Sequence, residues 1–352
     1  MNSKTVLSFD LDSVGSCRRW YDDQCTLTTA CCVSVVHEDS QQMQRSQLPE
    51  LVDCHVVQLG AVLEEGSEDE PSTHSRYTCF TTGHDGHRRA YDLSLPPTIT
   101  DEYADRLDSD ETHMQIDQRC VDHESRSIVV TDSSQVHLGS PPVGRRRLTA
   151  SRTGTKRLLA IRVTTATKEQ PSETVEEIQG AVFGLGELAE DNNVLTQYEA
   201  VSHGKLLFVP AVGEDTIDGV GDVVVNTSIK GQDISASFIT TIRDAATDKY
   251  GPLRLVADKI MFCLPDGSLL YGKEDWTGFA FSNESYSFYQ QSRCTRLSTV
   301  MHELGHSMGF KHSGKDSSNY ADTSCIMGYA TNQVGGPLKG FNAHKNWISG
   351  WY

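Results

Sequence analysis

The sequence has no apolar run near the roughly 18 residues that a membrane-crossing helix requires, so a transmembrane role is not expected. It is also short of positive charge. Its 31 lysines and arginines face 48 aspartates and glutamates, a formal net charge of −17. No basic run exceeds a short triplet, so neither nucleic acid nor an anionic membrane surface is an expected partner. No CxxC pair occurs among the ten cysteines, which argues against a zinc ribbon or a thioredoxin-like motif. The first residues, MNSKTVLSFDLDSVGSCRRW, hold only a brief apolar part broken by Asp10 and Asp12, and do not read as a secretory signal. From this segment alone, the expectation is either a chain not exported by that route or a start that lies further upstream.

The cysteines that are present point the other way. Seven precede residue 121, and Cys263, Cys294 and Cys325 follow. Scattered cysteines at this density suit an oxidising compartment. Two glycosylation acceptors, at Asn226 and Asn283, agree with an extracellular, cell-wall or matrix location.

Charge and texture change near residue 147. Residues 1–147 hold 25 acidic and 13 basic side chains against 23 and 18 in the remainder. The first part carries short β-leaning runs, CCVSVV, CHVVQLGAV, RYTCFTT and RSIVVT, between acidic and Ser-rich segments. It is expected to be a small β-rich, prosegment-like region. Pro141-Pro-Val-Gly-Arg-Arg-Arg147 then reads as an exposed linker, and Arg145–Arg147 either as a processing site or as a solvated charge cluster.

Residues 148–352 read as one α+β domain. Strands are expected at 158–163, 205–210, 222–229, 253–265 and 277–282. Thr174 and Glu177 offer a capping box ahead of Val175, Ile178, Val182 and Leu185 at helical spacing. Ile234–Lys249 and Thr295–Phe310 read as helices, the latter with Leu297, Val300, Met301, Leu304 and Met308 on one stripe.

That last helix carries His302-Glu-Leu-Gly-His306-Ser-Met-Gly309-Phe-Lys-His312, which is HExxHxxGxxH. Residues four apart lie on one helix face, so His302 and His306 can reach one ion. Gly309 allows a left-handed turn that ends the helix and brings His312 in as third ligand. Three neutral ligands leave a position for water, and Glu303 is placed to act as its general base. A lone HExxH recurs by chance; the full motif on a helix with one apolar stripe is far more specific. One catalytic Zn2+ is expected. Cys263 ends a strand and Cys294 opens the helix, so a disulfide between them is expected to fix the helix to the sheet.

The extended motif resembles that of the metzincin zinc peptidases, and the C-terminal part resembles the gametolysin family. The residues that carry the resemblance are YEAVSHGKLLFVPA (198–211), IMFCLPDG (260–267), CTRLSTVMHELGHSMGFKHSG (294–314) and CIMGYA…GGPLKGFNAHKNWISGWY (325–352). The resemblance implies a mixed twisted sheet with an active-site helix and a methionine turn, in which Met327 packs beneath the histidines. It implies an accessory catalytic role for Tyr329, with a core tyrosine as the plain alternative. It further implies that Gly278, Phe279, Ala280 and Phe281 form the edge strand on which substrate lies antiparallel, an ordinary sheet strand being the alternative. A polypeptide substrate is expected, by resemblance a matrix or cell-wall glycoprotein. No cysteine-switch motif is clear in the N-terminal region; Arg119-Cys120-Val121-Asp122 is the nearest fragment. The chain stops just after the family's expected last helix, the pattern of a minimal or truncated form. A non-catalytic adhesion protein on an inherited scaffold and an intracellular peptidase are the competing readings; an intact Glu303 speaks against the first.

Overall fold

The computed structural model describes residues 50–63, 77–82, 88–102, 112–138, 152–270, 272–282, 284–314, 320–328 and 339–352. All lie in one compact unit, Glu50–Tyr352. The run at 31–36, the Arg145–Arg147 triplet, the boundary at residue 147, Asn283 and Tyr329 fall outside the described residues.

The N-terminal part forms its own sheet. A long strand β1 (Leu51–Leu63) pairs antiparallel with β2 (Tyr77–Thr82), which pairs with β3 (Arg88–Ser94). β4 (His113–Asp117), β5 (Val121–Asp122), β6 (Ser127–Val129) and β7 (Val136–Leu138) complete it. Cys54, Val56, Cys79, Tyr91, Met114, Ile116 and Ile128 form its core, and a Cys54–Cys79 disulfide ties β1 to β2.

The larger sheet is built on β8 (Gly154–Thr165). β9 (Leu206–Pro210) runs parallel to the start of β8, and β10 (Val220–Val225) to its end. On the other side lie β11 (Lys259–Cys263) and β13 (Tyr286–Tyr289), both parallel, and then the antiparallel β12 (Trp276–Phe281). Because strand side chains alternate in direction, each strand supplies two cores. Leu159, Ile161, Ile260, Phe262, Phe279, Phe281 and Phe288 face the helix Ala236–Tyr250. Leu158, Ala160, Met261, Cys263 and Tyr289 face the helix Leu297–Ser307.

Several expectations needed adjustment. The run 253–265 is not one strand: Leu253–Val256 makes a helical turn after Pro252, whose ring supplies no N–H to a ladder, and only Lys259–Cys263 joins the sheet. The strand expected at 222–229 is Val220–Val225, and the chain leaves the sheet at Asn226, which is exposed. The Thr174 capping box forms, with the Glu177 amide donating to Thr174 Oγ1 at 3.2 Å. The helix it starts widens to a π turn over Gln179–Phe183 and stops at left-handed Gly184, leaving Leu185 beyond it. The helix expected over Thr295–Phe310 is Leu297–Ser307.

Candidate active site

The helix Leu297–Ser307 is held close to the sheet because the residues between them are small. A Cβ built on Gly278 of β12 would lie 3.0 Å from Glu303 Cγ and 3.2 Å from its Oε1. A larger residue there would press on the Glu303 side chain. On the helix itself, a Cβ on Gly305 would meet the Met327 sulfur at 2.5 Å. Met327 thus packs against the helix between the two histidine positions, buried with Phe341 and Trp351. A disulfide joins Cys263 at the end of β11 to Cys294 just ahead of the helix, with Cα atoms 5.7 Å apart. At the other end, buried Lys259 Nζ donates to the carbonyls of Ser307 and Glu284. Tyr198 OH donates to the Met301 carbonyl at 2.8 Å from the opposite side.

Gly309 takes φ of +81° and turns the chain out of the helix. The next residue then serves the site: the Phe310 carbonyl accepts from His306 Nδ1 at 2.8 Å. The Ile326 carbonyl, one residue before Met327, accepts from His302 Nδ1 at 2.8 Å. A carbonyl can only accept, so both rings carry their proton on Nδ1 and present the Nε2 lone pair inward. His306 Nε2 and His312 Nε2 are 2.9 Å apart, and ligating atoms of all three residues lie within 4.8 Å of one another. His302 Nε2 is buried without a hydrogen-bond partner. Burial holds the rings neutral, pushing His302 down to about 4, His306 down to about 3 and His312 well below the usual range. Three neutral imidazoles meeting at one point, two of them with their tautomer fixed by a backbone carbonyl, are a donor set that suits zinc.

Glu303 is also fully buried, with neither carboxylate oxygen hydrogen-bonded. Desolvation raises its carboxyl well above the ordinary range. The backbone after His312 is tied to the methionine turn through Ser313 N donating to the Met327 carbonyl at 2.8 Å. Lys345 Nζ donates to Ser313 Oγ at 2.6 Å and supports that turn from the C-terminal helix, Ala343–Ser349.

Sequence reasoning missed Tyr320. Its ring centroid lies 4.0 Å from that of His312 and 6.4 Å from that of His302. The usable signal was its place as the only tyrosine between His312 and Met327. Lys259 was equally unforeseen. His203 and His344 are exposed and stand apart from the histidine cluster. Cys120 packs against the N-terminal core, and burial raises its thiol, the wrong direction for a metal-seeking thiolate.

A sequence model of the family described as gametolysin peptidase M11 matches residues 159–351, more than half of the chain. The chain belongs to this family. It is accordingly a zinc metallopeptidase with a mixed α+β fold of the metzincin type. Among solved structures, similarity is found to archaemetzincin from Methanopyrus kandleri, at 11% identity and a TM-score of 0.29, over 55% of this chain and 93% of that one. A structure described as a chaperone-substrate complex is similar at 13% identity and a TM-score of 0.30, over 77% of this chain and 40% of that one. No curated protein matches at a significant level.

Proposed function

We propose that the chain is an endopeptidase in which His302, His306 and His312 hold one zinc ion and Glu303 is the general base. The observation that carries this is the meeting of three neutral imidazoles around a buried, unpartnered His302 Nε2, beside a buried carboxylate that makes no hydrogen bond. Zinc bound there would acidify a water and polarise the scissile carbonyl. Glu303, buried beside the histidines with neither oxygen hydrogen-bonded, would accept a proton from the attacking water and pass it to the leaving amine. Gly278 sets the distance of β12 from Glu303, so a peptide lying along this strand has its backbone close to the base. Tyr329, two residues after Met327, serves to steady negative charge as the carbonyl is attacked. The substrate class implied by family membership is an extracellular-matrix or cell-wall glycoprotein, reached in an extracellular setting. Residues 1–147 act as a prosegment removed by cleavage near Arg147.

Metal analysis and peptide hydrolysis test the core of this reading. The purified protein should contain one zinc per chain and lose hydrolysis on chelation, recovering it when zinc is restored. Full activity in metal-free protein would exclude it. A chain starting at Leu148 should hydrolyse the same peptide with higher kcat/KM than the full-length chain; equal values would remove the prosegment role.

A further inference from the structure

β12 is the last strand of the catalytic sheet. One side pairs with β13. The other would present a row of bare amides and carbonyls, which is a template for an added strand. The chain fills it with part of itself. Leu59, Gly60, Ala61 and Val62 pair antiparallel with Phe281, Ala280, Phe279 and Gly278, and Leu63 is drawn opposite Trp276. The register breaks between Val62 and Leu63, directly after the Val62–Gly278 pair. Gly278 is the residue whose backbone passes against Glu303. Regular pairing of the added strand therefore runs up to the strand position of the base and stops.

The rest of β1 is anchored elsewhere, with Leu51–His55 on β4 and His55–Gln58 on β2. The inserted segment is thus tethered to a separate sheet, and any outside peptide must compete with an intramolecular partner at high effective concentration. Its sequence is Leu-Gly-Ala-Val-Leu, without charge, in a chain of net charge −17, and Glu64 and Glu65 follow immediately.

We propose that Leu59–Leu63 is a tethered occupant of the substrate edge, holding β12 as a bound peptide would and marking the class of peptide this edge takes: extended, aliphatic and uncharged. The assignment rests on reading β12 as the strand that receives substrate. It places the restraint of the N-terminal region in five residues that end 82 positions before Arg145 in the sequence, so a cut near Arg147 frees the edge only when β1 also leaves.

The test uses the full-length chain carrying Glu303→Gln, so that bound peptide is not consumed. Gly60→Pro and Ala61→Pro are added singly; neighbouring residues alternate between hydrogen-bonded and non-bonded pairs, so one of the two removes a ladder amide. The probe is a fluorescein-labelled peptide with the sequence of residues 57–64, followed by anisotropy. At least one proline variant should bind it about tenfold or more tightly than the Glu303→Gln parent, and a probe with glutamate in place of its valine before the last leucine should bind about tenfold more weakly. Equal binding by parent and both variants, no binding by any, or indifference to the added charge would overturn the proposal. Should both proline variants lose zinc or their cooperative melt, Val62→Gly loosens the same pairing without removing an amide and is read the same way. With Glu303 intact, the released variant should also gain about tenfold in kcat/KM on a peptide substrate. Probe binding without hydrolysis would refute the peptidase reading and leave the edge assignment standing; hydrolysis with unchanged binding would do the reverse.

Discussion

The two faces of the catalytic sheet are made from the same strands and serve opposite ends. One face stacks aromatic rings: Phe279 lies on Phe288 at 4.7 Å, Phe288 near Phe262 at 5.1 Å, and the helix Ala236–Tyr250 closes over them. The other face keeps its strands slim, with Gly278 and Ala280 where the neighbours are Phe279 and Phe281, and brings in a helix bearing His302, Glu303 and His306. Bulk on one side builds stability, and absence of bulk on the other admits chemistry. From Gly278 to Phe281 the residues of β12 alternate between the two purposes, whereas Trp276, beyond the register break, joins the aromatic face.

Substitutions on the two faces should therefore fail differently. The largest effect belongs to Glu303→Gln, which removes the proposed base but none of the proposed zinc ligands. It should retain zinc and its melting temperature while kcat falls by about 10²–10⁴-fold; loss of zinc in that variant would make Glu303 structural. Across the sheet, Phe279→Ala should cost about 3–5 kcal/mol in denaturant unfolding, with kcat of the folded fraction little changed. A matching loss of kcat would show that the faces are not independent. Replacing Cys263 and Cys294 together by serine should lower stability by about 3.7 kcal/mol in the chain-entropy account of a 31-residue separation, measured by thermal unfolding. Gly278→Ala is the smallest change on the chemical face. Its methyl must displace Glu303, so kcat should drop by about 10–100-fold with zinc content unchanged; an unaffected kcat would mean that the carboxylate can move aside freely.

The weakest effect probes Lys259, which is buried and bound to the end of the helix that carries His302 and His306. Burial pushes its amine down to about 8, against 10.5 for an ordinary lysine. The unfolded chain therefore binds the extra proton between these values, and stability must rise with pH across that window. The melting temperature of the wild type should climb relative to Lys259→Met between pH 8 and 10. A flat difference would mean that the amine is not perturbed.

What the sequence disclosed follows from how local each cause is. His302, His306 and Gly309 act through helix spacing and a single backbone turn, so HExxHxxGxxH could be read directly. The small-and-large alternation of Gly278 to Phe281 was visible as a strand, yet its reason depends on a helix some 20 residues later pressing on one face. Lys259 and Tyr320 reach the site only through tertiary packing and carry no spacing rule. β13, four residues long, fell below what periodicity can separate from a loop. Leu253–Val256 was misread because Leu-Arg-Leu-Val alternates as a strand does, while Pro252 sets up a turn. The pairing of β1 with β12 was beyond reach altogether, since nothing local links residues 59–63 with 276–281.

Arg152 shows how the catalytic part is moored. Its guanidinium donates to the carbonyls of Met308 and Ile348 and lies over the Phe310 ring, while its own carbonyl accepts from the Trp351 indole. Mechanically, a pull that reaches Arg152 from the N-terminal side is resisted by these bonds. The load passes to Met308, the residue that caps the helix Leu297–Ser307 two positions after His306. Tension arriving at Arg152 and the seat of the second histidine thus share one side chain as their fulcrum.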